Sequence, residues 1–164
     1  MDTLKQLKQE FALEYATTKK FFENFPEGIN DYTPHAKSMK LMPLAQHIAE
    51  VFGWTPVILS TEVLDFGKRD PSVPFQNKQQ LLDRIENDYQ ATISALDAAT
   101  EADLEPNWSL AYKDQIIVTW TKYQAIRHTL NQVTHHRAQL GVYYRLNDIK
   151  VPGSYGPSAD DQSF

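Results

Sequence analysis

The longest helical pattern of the sequence is the stretch TWTKYQAIRHTLNQVTHHRAQLGVYYRLN, residues 119–147, which contains three of the five histidines. Its apolar residues recur at three- and four-residue steps, the spacing of one face of an α-helix: Tyr123, Ile126, Leu130, Val133, Leu140 and Tyr144. A second stripe follows the opposite side: Thr121, Ala125, His128, Gln132, His135, His136, Gln139 and Tyr143. A solvated stripe of this length would carry Lys and Glu, so its His, Gln and Tyr residues predict a site or an interface.

Three further stretches have helical periodicity, and Pro and Gly separate them. The predicted helices cover about residues 3–24, 43–64 and 77–98, and Pro56 is expected to kink the second. Residues 101–118 are the least helical, and the run from residue 108 to 118 is compatible with a short hairpin around Lys113 and Asp114. With the fourth helix over residues 119–147, the pattern predicts an all-α fold, a four-helix bundle with long crossover connections.

The length of 164 residues predicts one domain over residues 1–164, of which 151–164 form a C-terminal tail. The chain has no cysteine, which excludes disulfides, thiolate metal sites and cysteine nucleophiles. A net charge of −5 argues against nucleic acid or an anionic membrane surface as partner. The sequence has no apolar run of the ~18 residues that a membrane helix needs, and it begins MDTLKQLKQEF without the apolar region of a signal peptide. A cytoplasmic location is therefore expected.

The histidines offer the clearest candidates for chemistry. Gln132 and His136 lie one helical turn apart and can reach one point, the spacing at which a helix often presents two metal ligands. His47 lies among Leu44, Ile48 and Val51, on the inward face of the second predicted helix. Taken alone, the position of His47 is more typical of a half-buried histidine that is hydrogen-bonded to its neighbours. The polar stripe of the fourth helix makes a metal ligand the alternative interpretation.

The other polar residues near this stripe have plainer interpretations. His128 lies two turns from His136, ~12 Å along the helix, too far for both to bind one ion without distortion. His135 points about 100° away from His136, as an interface or supporting residue. Gln139 could orient a ligand, and Arg137 falls on the apolar side, where a structural salt bridge is expected. His35 lies in a predicted loop and is expected to be solvated.

Three segments carry a resemblance to a known family. They are His35 to Met39 with Leu44 to Glu50, the run Asn131-Gln132-Val133-Thr134-His135-His136-Arg137-Ala138-Gln139, and the tail from Pro152 to Ser158. In this combination, over about residues 3–160, the sequence resembles the DinB/YfiT-like superfamily of metal-dependent four-helix-bundle proteins. The resemblance implies a homodimer and a site of three histidines.

Carried over residue by residue, the first ligand of that site falls on His47, the third on His136 and the second on Gln132. A carboxamide oxygen is a poorer ligand for zinc or nickel than a neutral imidazole. The expected cofactor is therefore a divalent metal, zinc or nickel, that is weakly bound or absent.

Two functions stay open at this point, and with them the question whether the protein is an enzyme. The first is a metal-dependent hydrolase or thiol S-transferase, since some relatives act on low-molecular-weight thiols; its ligand would be a small-molecule thiol or another small ligand. The second is a non-catalytic, dimeric binding or stress-associated protein with a vestigial metal site. DNA binding, a third function, fits poorly with the charge of −5.

Overall fold

A computed structural model describes residues 2–70 and 72–162. Within these ranges the chain forms, in order, α1 (Thr3–Glu23), α2 (Leu41–Phe52), α3 (Trp54–Ser60), β1 (Val63–Asp65), α4 (Lys78–Ala98), β2 (Asn107–Tyr112), β3 (Gln115–Thr121) and α5 (Lys122–Leu146), with a 3-10 turn at Glu101–Leu104. The predicted all-α four-helix bundle is therefore wrong, because a mixed three-stranded sheet accompanies the helices. The last two residues of the predicted tail, 163 and 164, lie outside the described residues, as do residues 1 and 71 of the predicted domain.

The sheet has the strand order β1-β2-β3, with β1 parallel and β3 antiparallel to β2. β-Branched residues from Ile116 to Thr119 favour the extended backbone of β3. Lys113 and Asp114, between β2 and β3, have φ angles of 49° and 66°, the left-handed pair that a two-residue hairpin turn requires. The hairpin compatible with the sequence is thus present, and the side chain of Asp65 anchors it by accepting both backbone N–H groups of this turn at 2.9 and 2.8 Å.

The second predicted helix is wrong in its length and in its kink. It breaks at Gly53 into α2 and α3, where a Cβ atom would lie 2.7 Å from the Asp88 carboxylate of α4. Pro56 falls in the first turn of α3, where a backbone N–H would have no helical partner, so it starts a helix instead of kinking one. The last predicted helical residues belong to β1, which pairs with β2.

The other helices match their predictions more closely. The structure confirms the first and third within about two residues. The fourth begins at Lys122 instead of residue 119, because residues 119–121 complete β3. A capping box fixes this start: the Thr121 hydroxyl accepts from the Gln124 N–H at 3.2 Å, and the Gln124 side chain accepts from the Thr121 N–H at 3.0 Å.

The long helices share one buried core, in which α1 packs on α4 and α5, and α2 packs on the same two helices. Fully buried members of this core include Phe11, Phe22, Leu44, Ile48, Phe52, Leu81, Ile85, Val133, Leu140 and Tyr144. Burial of each such side chain contributes about 1.5–3 kcal/mol relative to exposure. The pairing of α2 with α5 brings the His47 segment against the polar stripe of α5. None of the helices in the described part of the chain is long and apolar enough to cross a membrane.

Candidate metal centre

His47 of α2 and His136 of α5 lie side by side. Their ring centroids are 4.7 Å apart and their planes meet at 81°, an edge-to-face contact. Both side chains are half-buried, because Leu44 and Ile48 beside His47 turn fully into the core and leave the two imidazoles at its edge. The structure thus brings together the two histidines that sequence spacing and resemblance singled out.

Gln132, one turn before His136, completes a compact group of three. Its Oε1 lies 2.9 Å from His136 Nε2, and its Nε2 lies 3.3 Å from His128 Nε2. The group therefore offers two imidazoles and one amide oxygen. Among residues 2–70 and 72–162, no group of three or more His, Cys, Asp or Glu side chains is arranged to hold a metal ion. A metal at this position would depend on the Gln132 amide, or on water, for its third ligand.

Burial favours the neutral form of both imidazoles. It lowers the pKa of His47, and the neighbouring His136 lowers it further, whereas Glu50 acts weakly in the opposite direction. Burial also lowers the pKa of His136, against a hydrogen bond from the ring to Gln139 that raises it. A neutral imidazole keeps one nitrogen lone pair, which is the form that binds a metal.

Amide oxygens face both ring nitrogens of His136. Gln139 Oε1 lies 2.9 Å from Nδ1, and Gln132 Oε1 lies at the same distance from Nε2. A neutral imidazole carries one N–H, so it can donate to only one of these two acceptors. If Nδ1–H donates to Gln139, then a lone pair on Nε2 faces an oxygen lone pair on Gln132.

Several arrangements resolve this conflict, and two of them bear on a metal. In the first, His136 Nε2 and Gln132 Oε1 would both hold a cation, whose positive charge would take the place of the missing proton. In the second, the Gln132 amide is turned by 180°, so that its N–H donates to His136 Nε2 and its oxygen accepts from His128. The donor set therefore fits a divalent metal, and the same side chains can also close into a chain of hydrogen bonds.

The remaining histidines lie around this group. His128 stacks on Trp120 with centroids 4.6 Å apart, and burial lowers its pKa. The exposed ring of His135 is 4.8 Å from that of His136, and its Nε2 lies 3.2 Å from Gln139 Nε2. His35 is exposed in the loop before α2, where its Nδ1 accepts from the Lys37 N–H at 3.1 Å. None of these three rings is stacked on or in edge contact with His47.

Arg137, next to His136 in sequence, lies on the other side of α5 in the structural salt bridge that the sequence predicts. Its side chain is 2% exposed and its Nη1 lies 2.6 Å from Glu14 Oε2 of α1. It also donates to the Thr18 hydroxyl at 2.9 Å and, through Nη2, to Tyr155 OH at 3.0 Å. Sequence reasoning missed Glu14 and Thr18, although their spacing from Phe11 places them on the apolar face of α1.

A surface cavity of about 440 Å³ opens beside His136. The loop before α2 forms one wall and α5 the other, with Lys37, Ser38, Met39, His136, Gln139, Val142 and Tyr143 as its lining. The Tyr143 hydroxyl donates to the Met39 carbonyl at 2.9 Å and ties the two walls together. A small molecule in this cavity would lie against the candidate ligand His136. Lys37 lies in a segment that carries the family resemblance, but no other feature of the local sequence predicts that it lines a cavity.

Solved structures share the fold. A DinB-like protein from Bacillus subtilis has a TM-score of 0.71 and 18% identity, over 91% of this chain and 97% of its own. A DinB-like protein from Bacillus cereus has a TM-score of 0.69 and 21% identity, over 90% of this chain and 94% of its own. A DinB family protein from Exiguobacterium sibiricum has a TM-score of 0.66 and 17% identity, over 90% of this chain and 93% of its own. At these identities the likeness establishes the fold alone.

No curated protein sequence matches the chain. The family model of the DinB family, in contrast, matches residues 1–163, nearly the whole length. This match agrees with the three structural likenesses and with the segments around His47 and His136 that carry the resemblance. The chain belongs to the DinB family.

Proposed function

We propose that His47 and His136 bind a divalent metal ion, zinc or nickel, and that the protein uses this site for metal-dependent chemistry on a small molecule. Gln132 serves as a weak oxygen ligand or as a hydrogen-bond partner of a bound water. One observation carries the proposal: amide oxygens lie 2.9 Å from both ring nitrogens of His136, and a neutral imidazole can donate to only one of them. A cation at the nitrogen without a proton would satisfy the second amide oxygen, next to the ring of His47.

The surrounding residues suit this role. Gln139 can accept the Nδ1–H of His136, which leaves the Nε2 lone pair directed toward Gln132. When bound, the metal would lower the pKa of a coordinated water or thiol and so supply a nucleophile near neutral pH. Hydrolysis or transfer of a small thiol is the reaction class that the resemblance supports, and the cavity beside His136 gives a small substrate access to the site.

A second candidate function has its own observation. With the Gln132 amide turned, His128, Gln132, His136, Gln139 and His135 form an unbroken hydrogen-bond chain along α5 that satisfies each group without a metal. In that state the His136 lone pair accepts a hydrogen bond and is not free for a ligand. The protein would then be a non-catalytic binding or stress-associated protein with a vestigial site.

Calorimetric titration with zinc and nickel separates the two functions. The wild-type protein, purified without an affinity tag, is compared with His47→Ala, His136→Ala and the loop variant His35→Ala as matched control. Loss of either imidazole should weaken binding at least about tenfold, whereas His35→Ala should bind as the wild type does. A wild-type protein without measurable affinity, or a His136→Ala variant that binds equally well, would overturn the metal centre and favour the second function.

The homodimer belongs to this proposal as well. The resemblance implies this dimer, and α5 presents exposed apolar side chains outside the cavity, such as Leu146 at 59% exposed, that a partner would cover. Light scattering at micromolar concentration should give twice the monomer mass of 18.8 kDa. A monomer mass would contradict the dimer and leave the metal proposal untouched. The cytoplasmic location stays a prediction.

A further inference from the structure

We infer that the cavity beside His136 binds a small molecule with one carboxylate group, which pairs with Lys37. The apolar part of this molecule lies against Met39 and Val142, and its far end reaches His136. The inference deepens the proposed function, on which it rests for the role of His136, by naming the class of ligand and the residue that selects it.

The charge of the cavity lining carries the first step. Lys37 supplies a positive charge, Ser38 and Tyr143 supply hydroxyls and Gln139 supplies an amide, and no carboxylate belongs to the lining. Within the described residues, no carboxylate oxygen lies within 4.0 Å of the Lys37 ammonium. Lys40, three residues later in the same loop, is paired with Asp31 at 2.7 Å. Lys37 is thus the cation of a lining that has no carboxylate, and no neighbouring carboxylate neutralises its charge.

The second step concerns the loop that presents Lys37. The Ser38 N–H donates to the His35 carbonyl at 2.9 Å, and the Thr33 hydroxyl donates to the same oxygen at 2.7 Å. The Lys37 N–H donates to the His35 ring, and Tyr143 anchors Met39 to α5. These bonds hold the backbone of the segment in place, so the lysine stem starts from a fixed point at the cavity edge.

The third step selects a carboxylate over a phosphate. Phosphate sites usually combine several backbone N–H groups, a helix N-terminus or arginine with the lysine. The lining here has one lysine and no arginine. One point charge with neighbouring hydroxyls matches a single negative charge, and the side chains of Met39 and Val142 offer an apolar surface to the rest of the ligand.

Butyrate and its neutral analogue butyramide are the probes. Each is titrated into metal-free wild-type protein, Lys37→Gln and the matched control Lys40→Gln, and amide shifts of Gln139 and Val142 are followed by NMR. Butyrate should bind more tightly than butyramide, and Lys37→Gln should weaken butyrate about threefold or more while it leaves butyramide unchanged. Lys40→Gln should alter neither.

Three results would overturn the inference: no binding of butyrate at millimolar concentration, equal binding of butyrate and butyramide, or equal losses in Lys37→Gln and Lys40→Gln. Because metal is absent from this titration, its outcome is independent of the metal proposal. If butyrate binds but the protein has no affinity for zinc or nickel, the carboxylate site stands and only the metal proposal fails. If the metals bind but butyrate binds no more tightly than butyramide, only the carboxylate site fails.

Discussion

His136 and Arg137 are neighbours on α5, yet they belong to two different polar regions. Arg137 turns toward α1, where its guanidinium is 2% exposed and has Glu14, Thr18 and Tyr155 as partners. His136 turns toward α2, where it is half-buried and has His47, Gln132 and Gln139 around it. One region joins full charges of opposite sign, and the other gathers neutral imidazoles and amides.

The difference separates a polar group that is coupled to folding from one that the metal proposal requires to be available to a ligand. In the Arg137 region, removal of one charge would leave the other buried and alone, so the region is coupled to folding. In the His136 region burial favours neutral imidazoles and the groups tolerate more than one proton arrangement, so we expect a ligand there to leave the core intact. The following experiments test this separation, beginning with the largest expected effect.

Arg137→Leu should lower the free energy of unfolding by about 3–5 kcal/mol, because it leaves the Glu14 carboxylate buried without its partner. Urea unfolding of the wild type, Arg137→Leu and His136→Ala measures the difference, and His136→Ala should cost about 1 kcal/mol or less. The double variant with Glu14→Leu should recover most of the loss. Equal losses in Arg137→Leu and His136→Ala would contradict the separation of the two regions.

Tyr155→Phe should cost about 1.5–3 kcal/mol, the range for hydrogen bonds to charged groups. The Tyr155 hydroxyl donates to Glu14 Oε1 at 2.6 Å and accepts from Arg137 Nη2 at 3.0 Å. The variant therefore removes one hydrogen bond from each member of the buried ion pair. Thermal and urea unfolding would measure this loss. Tyr123→Phe, which removes a hydroxyl from an exposed tyrosine of α5, is the control and should change stability little. If Tyr155→Phe leaves the free energy of unfolding unchanged, then the tail contributes no stability to the Arg137 region.

Gln132→His should tighten zinc and nickel binding about tenfold or more, since an imidazole replaces a poorer amide oxygen next to His136. Calorimetric titration gives the affinity. Gln9→His, which adds an exposed histidine on α1, controls for a general gain in metal affinity. An unchanged affinity in Gln132→His would show that Gln132 is not part of the metal centre. Its contacts in the His136 region would then be hydrogen bonds alone.

Acid should destabilise the metal-free protein through the His136 region. Burial lowers the pKa of His47, His128 and His136 in the folded state, so the unfolded chain binds protons more readily below its ordinary histidine pKa of ~6.5. The stability is therefore complete above that pH and declines as the pH falls below it. Urea midpoints at pH 7.5, 6.5 and 5.5 would measure the decline.

The same series on His47→Gln should have a shallower slope, whereas the exposed-loop variant His35→Ala should follow the wild type. A protein whose midpoint rises between pH 6.5 and 5.5 would contradict the direction of these pKa shifts. This effect is expected to be the smallest of the four.

The spacing of apolar residues along the sequence predicted the long helices correctly. The apolar spacing of α1, α4 and most of α5 was sufficient to define those helices, since a continuous buried face leaves little choice of structure. The inward position of His47 and the one-turn spacing of Gln132 and His136 were sufficient to expect them together. Gln139 was expected to orient a ligand, and its Oε1 lies 2.9 Å from His136 Nδ1.

The missed features depend on residues far apart in sequence. At the break between α2 and α3, a Cβ atom on residue 53 would lie 2.7 Å from the Asp88 carboxylate of α4, a contact that the pattern around residue 53 cannot predict. The three residues of β1 are extended because they pair with residues 109–111 of β2. One wall of the cavity beside His136 is a loop that the Tyr143 hydroxyl bonds to α5, a contact between residues 104 positions apart. Each needs a tertiary partner, so a periodicity argument cannot find it.

The parallel pairing of β1 with β2 has a consequence for the order of folding. The hairpin of β2 and β3 joins neighbouring segments and can form early, whereas β1 reaches β2 only across the whole of α4. Contacts of high sequence separation form slowly, because a long loop must close before they are gained. We therefore expect the Phe66 N–H, which donates to Ala111 O at 3.1 Å, to become protected after the hairpin amides in pulse-labelled hydrogen exchange. Simultaneous protection would mean that the three strands assemble as one cooperative unit.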